Sequence, residues 1–115
     1  MPFDSLIDWK TALEGVDGDR ELLKSVVEVF LDESQQLLQD LKLAVHAEDV
    51  AKVRSRGHSL KGAMLGVGAF ATADLAQTLE MRAGNESLQA MTGSLQDLEQ
   101  QYARIAVELR EFLTS

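Results

Sequence analysis

Cysteine is absent from the 115-residue chain and histidine occurs twice, at His46 and His58. Thiolate chemistry, disulfides and cysteine zinc sites are therefore excluded, which leaves imidazole as the side chain best suited to act as a nucleophile near neutral pH. His58 lies in the string His58-Ser59-Leu60-Lys61-Gly62. On a helix, Arg54, His58, Lys61, Gly62 and Leu65 share one face, opposite Gly57, Leu60 and Met64, so His58 is expected to face solvent. A helical histidine is more often a satisfied core-edge group or plain surface, but two features argue for more here. Gly57, Gly62 and Gly66 stand inside one helical segment, each about 0.8–1 kcal/mol less favourable there than alanine. Gly57 fits close packing on the core side, whereas Gly62 clears space beside the ring. Lys61, one turn along the same face, puts an ammonium where negative charge built on the imidazole would sit. Nucleophile, charge partner and clearance together suit a phosphoryl carrier, because a phosphorylated imidazole holds a reactive P–N bond that passes its group onward.

His46 serves as the contrast: it stands beside Glu48 and Asp49 near the end of a helical segment, where a histidine is explained by helix-terminus electrostatics. The rest of a kinase is missing. No GxxxxGK[ST] loop, no Gly-rich loop between strands and no acidic cluster suited to Mg²⁺ is present, so ATP binding by this chain is not expected.

The formal net charge of −8 disfavours nucleic acid, whose phosphates demand clustered Lys and Arg. Charge is uneven, however. Between Val50 and Ala73 there is no Asp or Glu, while Lys52, Arg54, Arg56 and Lys61 all fall there, which reads as a locally basic face around His58. The longest uncharged stretch, Gly62 to Ala73, is interrupted by glycines and is far shorter than the ~20 apolar residues of a membrane span. The N-terminus carries an early acid and no basic segment before an apolar run, unlike a signal peptide. Membrane association is not expected, and the cytoplasm is the expected location.

The elements that must position His58 read as helices throughout. One proline, at position 2, and widespread 3.6-residue periodicity without strand-like alternation predict an all-α chain. Phe3, Leu6, Ile7 and Leu13 predict a short first helix carrying Trp9, ending near Gly15 as a lid on the bundle end. Asp19 is a natural N-cap for a second helix to about Ala47, with Leu23, Val26, Val27, Phe30, Leu37, Leu38, Leu41 and Val45 as its apolar stripe. Asp49 caps a third, stopped at Gly68; a fourth spans about Phe70 to Ala83 with Leu75 and Leu79 inward; and a fifth runs unbroken from Leu88 through Met91, Leu95, Leu98, Tyr102, Ile105 and Leu109 to Phe112. Short connections imply antiparallel neighbours. The expectation is one domain over residues 1–115, an antiparallel four-helix bundle with a short additional N-terminal helix, monomeric because its apolar seams are satisfied internally.

The string from His58 to Gly62, followed by Gly68-Ala69, Leu75, Leu79 and Glu80, resembles the signature of histidine phosphotransfer (HPt) domains of bacterial multistep phosphorelays. The Asp17-Gly18-Asp19 turn, the long second helix and the final heptad-like helix are also similar to family features, in family order. The resemblance implies that His58 is phosphorylated on Nε2 from a receiver-domain aspartate, with Lys61 stabilising phosphoryl oxygens and Gly62 admitting the receiver. It further implies that Glu80 hydrogen-bonds Nδ1 and presents Nε2, that Leu65 and Ala69 add apolar contact, and that Arg54 adds peripheral charge. Partners would be receiver domains of response regulators or of a hybrid sensor kinase, the Mg²⁺ belonging to the receiver and no cofactor being held by this chain. Gly57 departs from the alanine of many members, and Gly84 stands where some are basic, leaving Arg82 as a substitute. Two other functions compete: a non-catalytic helical adaptor or dimerisation module, and the phosphoacceptor domain of a chemotaxis-type kinase.

Overall fold

The computed structural model describes residues 5–115, so Phe3 lies outside the described residues. Five α-helices follow in order, α1 (Trp9–Glu14), α2 (Arg20–His46), α3 (Val50–Gly66), α4 (Phe70–Arg82) and α5 (Thr92–Leu113). α1 is shorter than the apolar pattern implied, because Asp8 fixes its start: the carboxylate accepts from Thr11 N at 3.1 Å and Thr11 Oγ1 at 2.9 Å. These bonds hold the Asp8 carboxyl below its ordinary value. Leu6 and Ile7 precede the helix as ordered chain, tied down by Asp8 N donating to Gly68 O at 2.9 Å. The Trp9 ring packs on Phe112 at 4.6 Å between centroids, so α1 does cover one end of the bundle.

Asp19 and Asp49 cap α2 and α3 by accepting from Leu22 N and Lys52 N, each such cap being worth about 1 kcal/mol. Gly68, at φ +79°, ends the α3 corner. α3 packs on α2 and α4, and α5 packs on α4 and α2, which closes four antiparallel helices around one continuous core. Leu23, Leu41, Leu60, Met64, Leu79, Leu98, Ile105 and Leu109 are fully buried there. No described helix is long and apolar enough to cross a membrane.

Two further expectations are corrected. The fifth helix does not begin at Leu88: Leu88–Met91 is a 3-10 turn, with Ser87 Oγ accepting from Ala90 N at 3.1 Å. Leu88 and Met91 stay buried, because a three-residue spacing puts both on one side of a 3-10 turn as well as of an α-helix. In α4 the inward side is Thr72, Ala73, Ala76 and Leu79, while Leu75 is only half-buried. Small residues replace the expected leucine because α4 lies close against α3.

Within the core, Ser34 of α2 and Tyr102 of α5 share a hydrogen bond at 2.8 Å, both residues being buried. Tyr102→Phe is expected to lower stability by about 1 kcal/mol, and a double-mutant cycle with Ser34→Ala to return a coupling of similar size, read from urea unfolding midpoints.

Candidate functional site

α3 carries His58 at mid-helix, on the face turned away from the core residues Val53, Gly57, Leu60 and Met64. The imidazole is 70% exposed, and its Nδ1 lies 3.0 Å from Glu80 Oε2 in the last turn of α4, a side chain only 24% exposed. An ionised carboxylate can only accept a hydrogen bond, so Nδ1 is the protonated nitrogen and, in the neutral ring, Nε2 carries the lone pair. A nucleophilic nitrogen on an exposed ring, with its tautomer set by a carboxylate on the neighbouring helix, is the chemical content of the site.

The pair depends on how near α3 and α4 run. A β-carbon on Gly57 would lie 3.3 Å from Ala76 O, tighter than ordinary van der Waals contact, and 3.4 Å from Glu80 Cβ, at its near limit. Gly57 thus lets the α4 backbone reach the helix that carries His58. Gly62 differs in kind: a β-carbon there would meet nothing within 4 Å, and the same holds at Gly66, so the face beside the ring is bare.

Lys61 is half-buried one turn from His58, and among the described residues its ammonium forms no ion pair. Leu65, 44% exposed, continues the same face. The structure places His58, Lys61, Gly62 and Leu65 along α3 and sets Glu80 of α4 against His58. Ala69 does not join them. It was expected to offer apolar contact to a partner, but it is fully buried at the corner before α4, with its N–H donating to Met64 O at 2.9 Å; that removes it from any docking surface.

The basic stretch is also not one face. Arg56 points to α2, where its Nε is 3.5 Å from Asp40 Oδ2. Arg54 is exposed, yet its Nε donates to Ala83 O at the end of α4 at 3.1 Å. Arg82 is no substitute for a base at position 84, because its guanidinium bonds Glu86 Oε2 at 2.6 Å and Ser94 Oγ at 2.8 Å. The guanidinium that lies over Gly84 is that of Arg54. Ala76 and Ala83 were not singled out from the sequence. A signal was present, since Ala73, Ala76, Glu80 and Ala83 recur in threes and fours along α4, a small-residue stripe broken by one acid. Among the described residues no three His, Asp or Glu side chains are grouped as metal ligands.

The fold and site together are an antiparallel helical bundle that displays one oriented histidine at mid-helix. The Hpt domain family model matches residues 25–112, and the chain belongs to that family. Histidine phosphotransfer in phosphorelays, through contact with receiver domains, is the activity of Hpt domains. Two solved structures share the fold. Histidine-containing phosphotransfer protein B (HptB) from Pseudomonas aeruginosa PAO1 is 21% identical with a TM-score of 0.87, 96% of each chain being covered. The HPT domain of a sensor hybrid histidine kinase from Shewanella is 18% identical with a TM-score of 0.84, over 95% of this chain and 94% of that one. No curated protein sequence matches the chain significantly.

The two glycines flanking the site should respond in opposite directions. Gly62→Ala is expected to raise stability by up to about 1 kcal/mol through helix propensity alone. Gly57→Ala is expected to lower it by about 1 kcal/mol, because overpacking against α4 backbone outweighs that gain. Chemical denaturation of both variants checks the pair.

Proposed function

We propose that this domain is a phosphocarrier in which His58 accepts a phosphoryl group from one receiver-domain aspartate and passes it to another. The observation that carries this reading is the exposed ring of His58 with Nδ1 held on Glu80 Oε2 at 3.0 Å. In the accepting step the Nε2 lone pair attacks phosphorus in line, the N–P bond forms, and the P–O bond to the receiver's acyl oxygen breaks, releasing its carboxylate. Nδ1 keeps its proton, so the ring gains positive charge as the N–P bond forms. The Glu80 carboxylate offsets that charge without moving a proton. The onward step is the reverse, a second aspartate displacing Nε2.

Lys61 would stand beside the phosphoryl oxygens, Gly62 would leave room for the receiver's loops, and Leu65 would give apolar contact. Mg²⁺ would come with the receiver. The carrier is taken to act as a monomer in the cytoplasm, with residues 1–115 as one functional unit. The adaptor reading is less well supported, since a purely structural module gives no reason to orient an exposed ring through a partly buried carboxylate.

Incubation with phosphorylated receiver domains and Mg²⁺ should label the protein with phosphate that is labile in acid, stable in base and absent from His58→Gln. Glu80→Ala should slow labelling about tenfold while leaving the fold intact. Failure of a panel of receivers to label a folded protein would sink the carrier reading and favour the adaptor.

A further inference from the structure

Arg54 lies on α3 one turn before His58, and the obvious use for an exposed cation beside such a site is to meet an acidic partner. Its geometry says otherwise. Nε is spent on Ala83 O at 3.1 Å, and Ala83 is fully buried just past the last turn of α4, its backbone extended at φ −60°, ψ 127°. That carbonyl has left the helical ladder, and a buried carbonyl left without a donor is unfavourable. The next residue, Gly84, has φ +87°, and a β-carbon there would collide with the Arg54 guanidinium and lie 3.3 Å from Val50 Cγ1. Gly84 therefore serves as a seat: it turns the chain and leaves the space that the guanidinium fills. A cation at this end of α4 also faces the negative pole of the helix.

Three contacts then follow one another along the α3–α4 seam. Arg54 holds Ala83, Gly57 admits the backbone of Ala76 and Glu80, and His58 bonds Glu80. Glu80 sits three residues before Ala83, in the helical turn that Arg54 fastens. On its other flank that turn is tied by Arg82 to Glu86 and Ser94. We propose that Arg54 is a positioning residue, pinning the end of α4 so that the Glu80 carboxylate meets His58 Nδ1, and that it acts within this chain and not as a charge offered to a partner. The inference about phosphotransfer rests on the carrier reading of His58; the inference about the ring does not.

The chemistry of two replacements separates the alternatives. In Arg54→Gln an N–H sits the same number of bonds from the backbone as the arginine Nε, but the charge is gone. In Arg54→Lys the charge remains and a methylene takes the place of Nε. Nitrogen-15 NMR of the isolated domain reads the His58 tautomer directly. Arg54→Ala and Arg54→Lys should shift the ring from the Nδ1–H form toward a tautomer mixture, and Arg54→Gln should restore most of what Arg54→Ala loses. Labelling of His58 by phosphoramidate, a small donor with no docking surface, should fall several-fold in Ala and Lys and be rescued in Gln. Adding Glu80→Ala to Arg54→Ala should bring little further loss, because both act through the same bond. Circular dichroism and thermal unfolding confirm that each variant is folded.

An unchanged His58 spectrum in folded Arg54→Ala would overturn the proposal. So would the opposite order with a receiver as donor, in which Lys behaves as wild type while Gln raises KM without altering the ring. Should His58 take no phosphate from any donor while the NMR order Gln above Lys and Ala still holds, the carrier reading falls and the positioning role stands.

Discussion

The site depends on how closely two helices approach. His58 and Glu80 belong to different helices, and their 3.0 Å contact exists because α4 lies against α3 with Ala76 and Glu80 over Gly57. Hydrogen bonds weaken steeply with distance and misalignment. A shift of the α4 backbone away from α3 would therefore weaken the contact that sets the tautomer, with no residue at the surface changed.

That approach is supported from outside the seam. α2 and α5 supply the longest apolar stripes, with Leu23, Val27, Leu41, Leu98, Ile105 and Leu109 fully buried, and α3 and α4 are laid on them. The corner between α3 and α4 is fixed by Gly68 and by Asp8, whose backbone N–H bonds Gly68 O. Arg54 and Arg82 fasten the opposite end of α4. The face left exposed, from His58 to Leu65, is thus a rigid display surface on a supported helix.

Much of this was legible in the sequence, for identifiable reasons. Aspartates at positions 19 and 49 announced helix starts because a short carboxylate satisfies first-turn amides, and they do so here. His58, Lys61 and Gly62 stood out because glycine is unfavourable in a helix and its presence there calls for a reason. What failed was what helical periodicity does not encode. A leucine and an alanine on α4 compete for the inward position, and the alanine won because the neighbouring backbone is close. Ala69 sits at a corner, where the direction of a small apolar side chain is set by the turn and not by any repeat. Arg54 has a long side chain whose reach covers both solvent and the end of α4, and only the fold decides which it uses. The spacing of Leu88 and Met91 suits two kinds of helix equally, so periodicity alone did not distinguish them.

The glycines of α3 have one more consequence. With glycine at 57, 62 and 66 in a 17-residue helix, α3 has little intrinsic tendency to be helical, and its order is lent to it by the packing of its inner face. Isolated from the bundle, this segment would be largely coil, and the ring would have no neighbour to orient it. Chemical competence is in this way tied to global integrity. A chain whose bundle has opened loses the oriented histidine together with its tertiary structure.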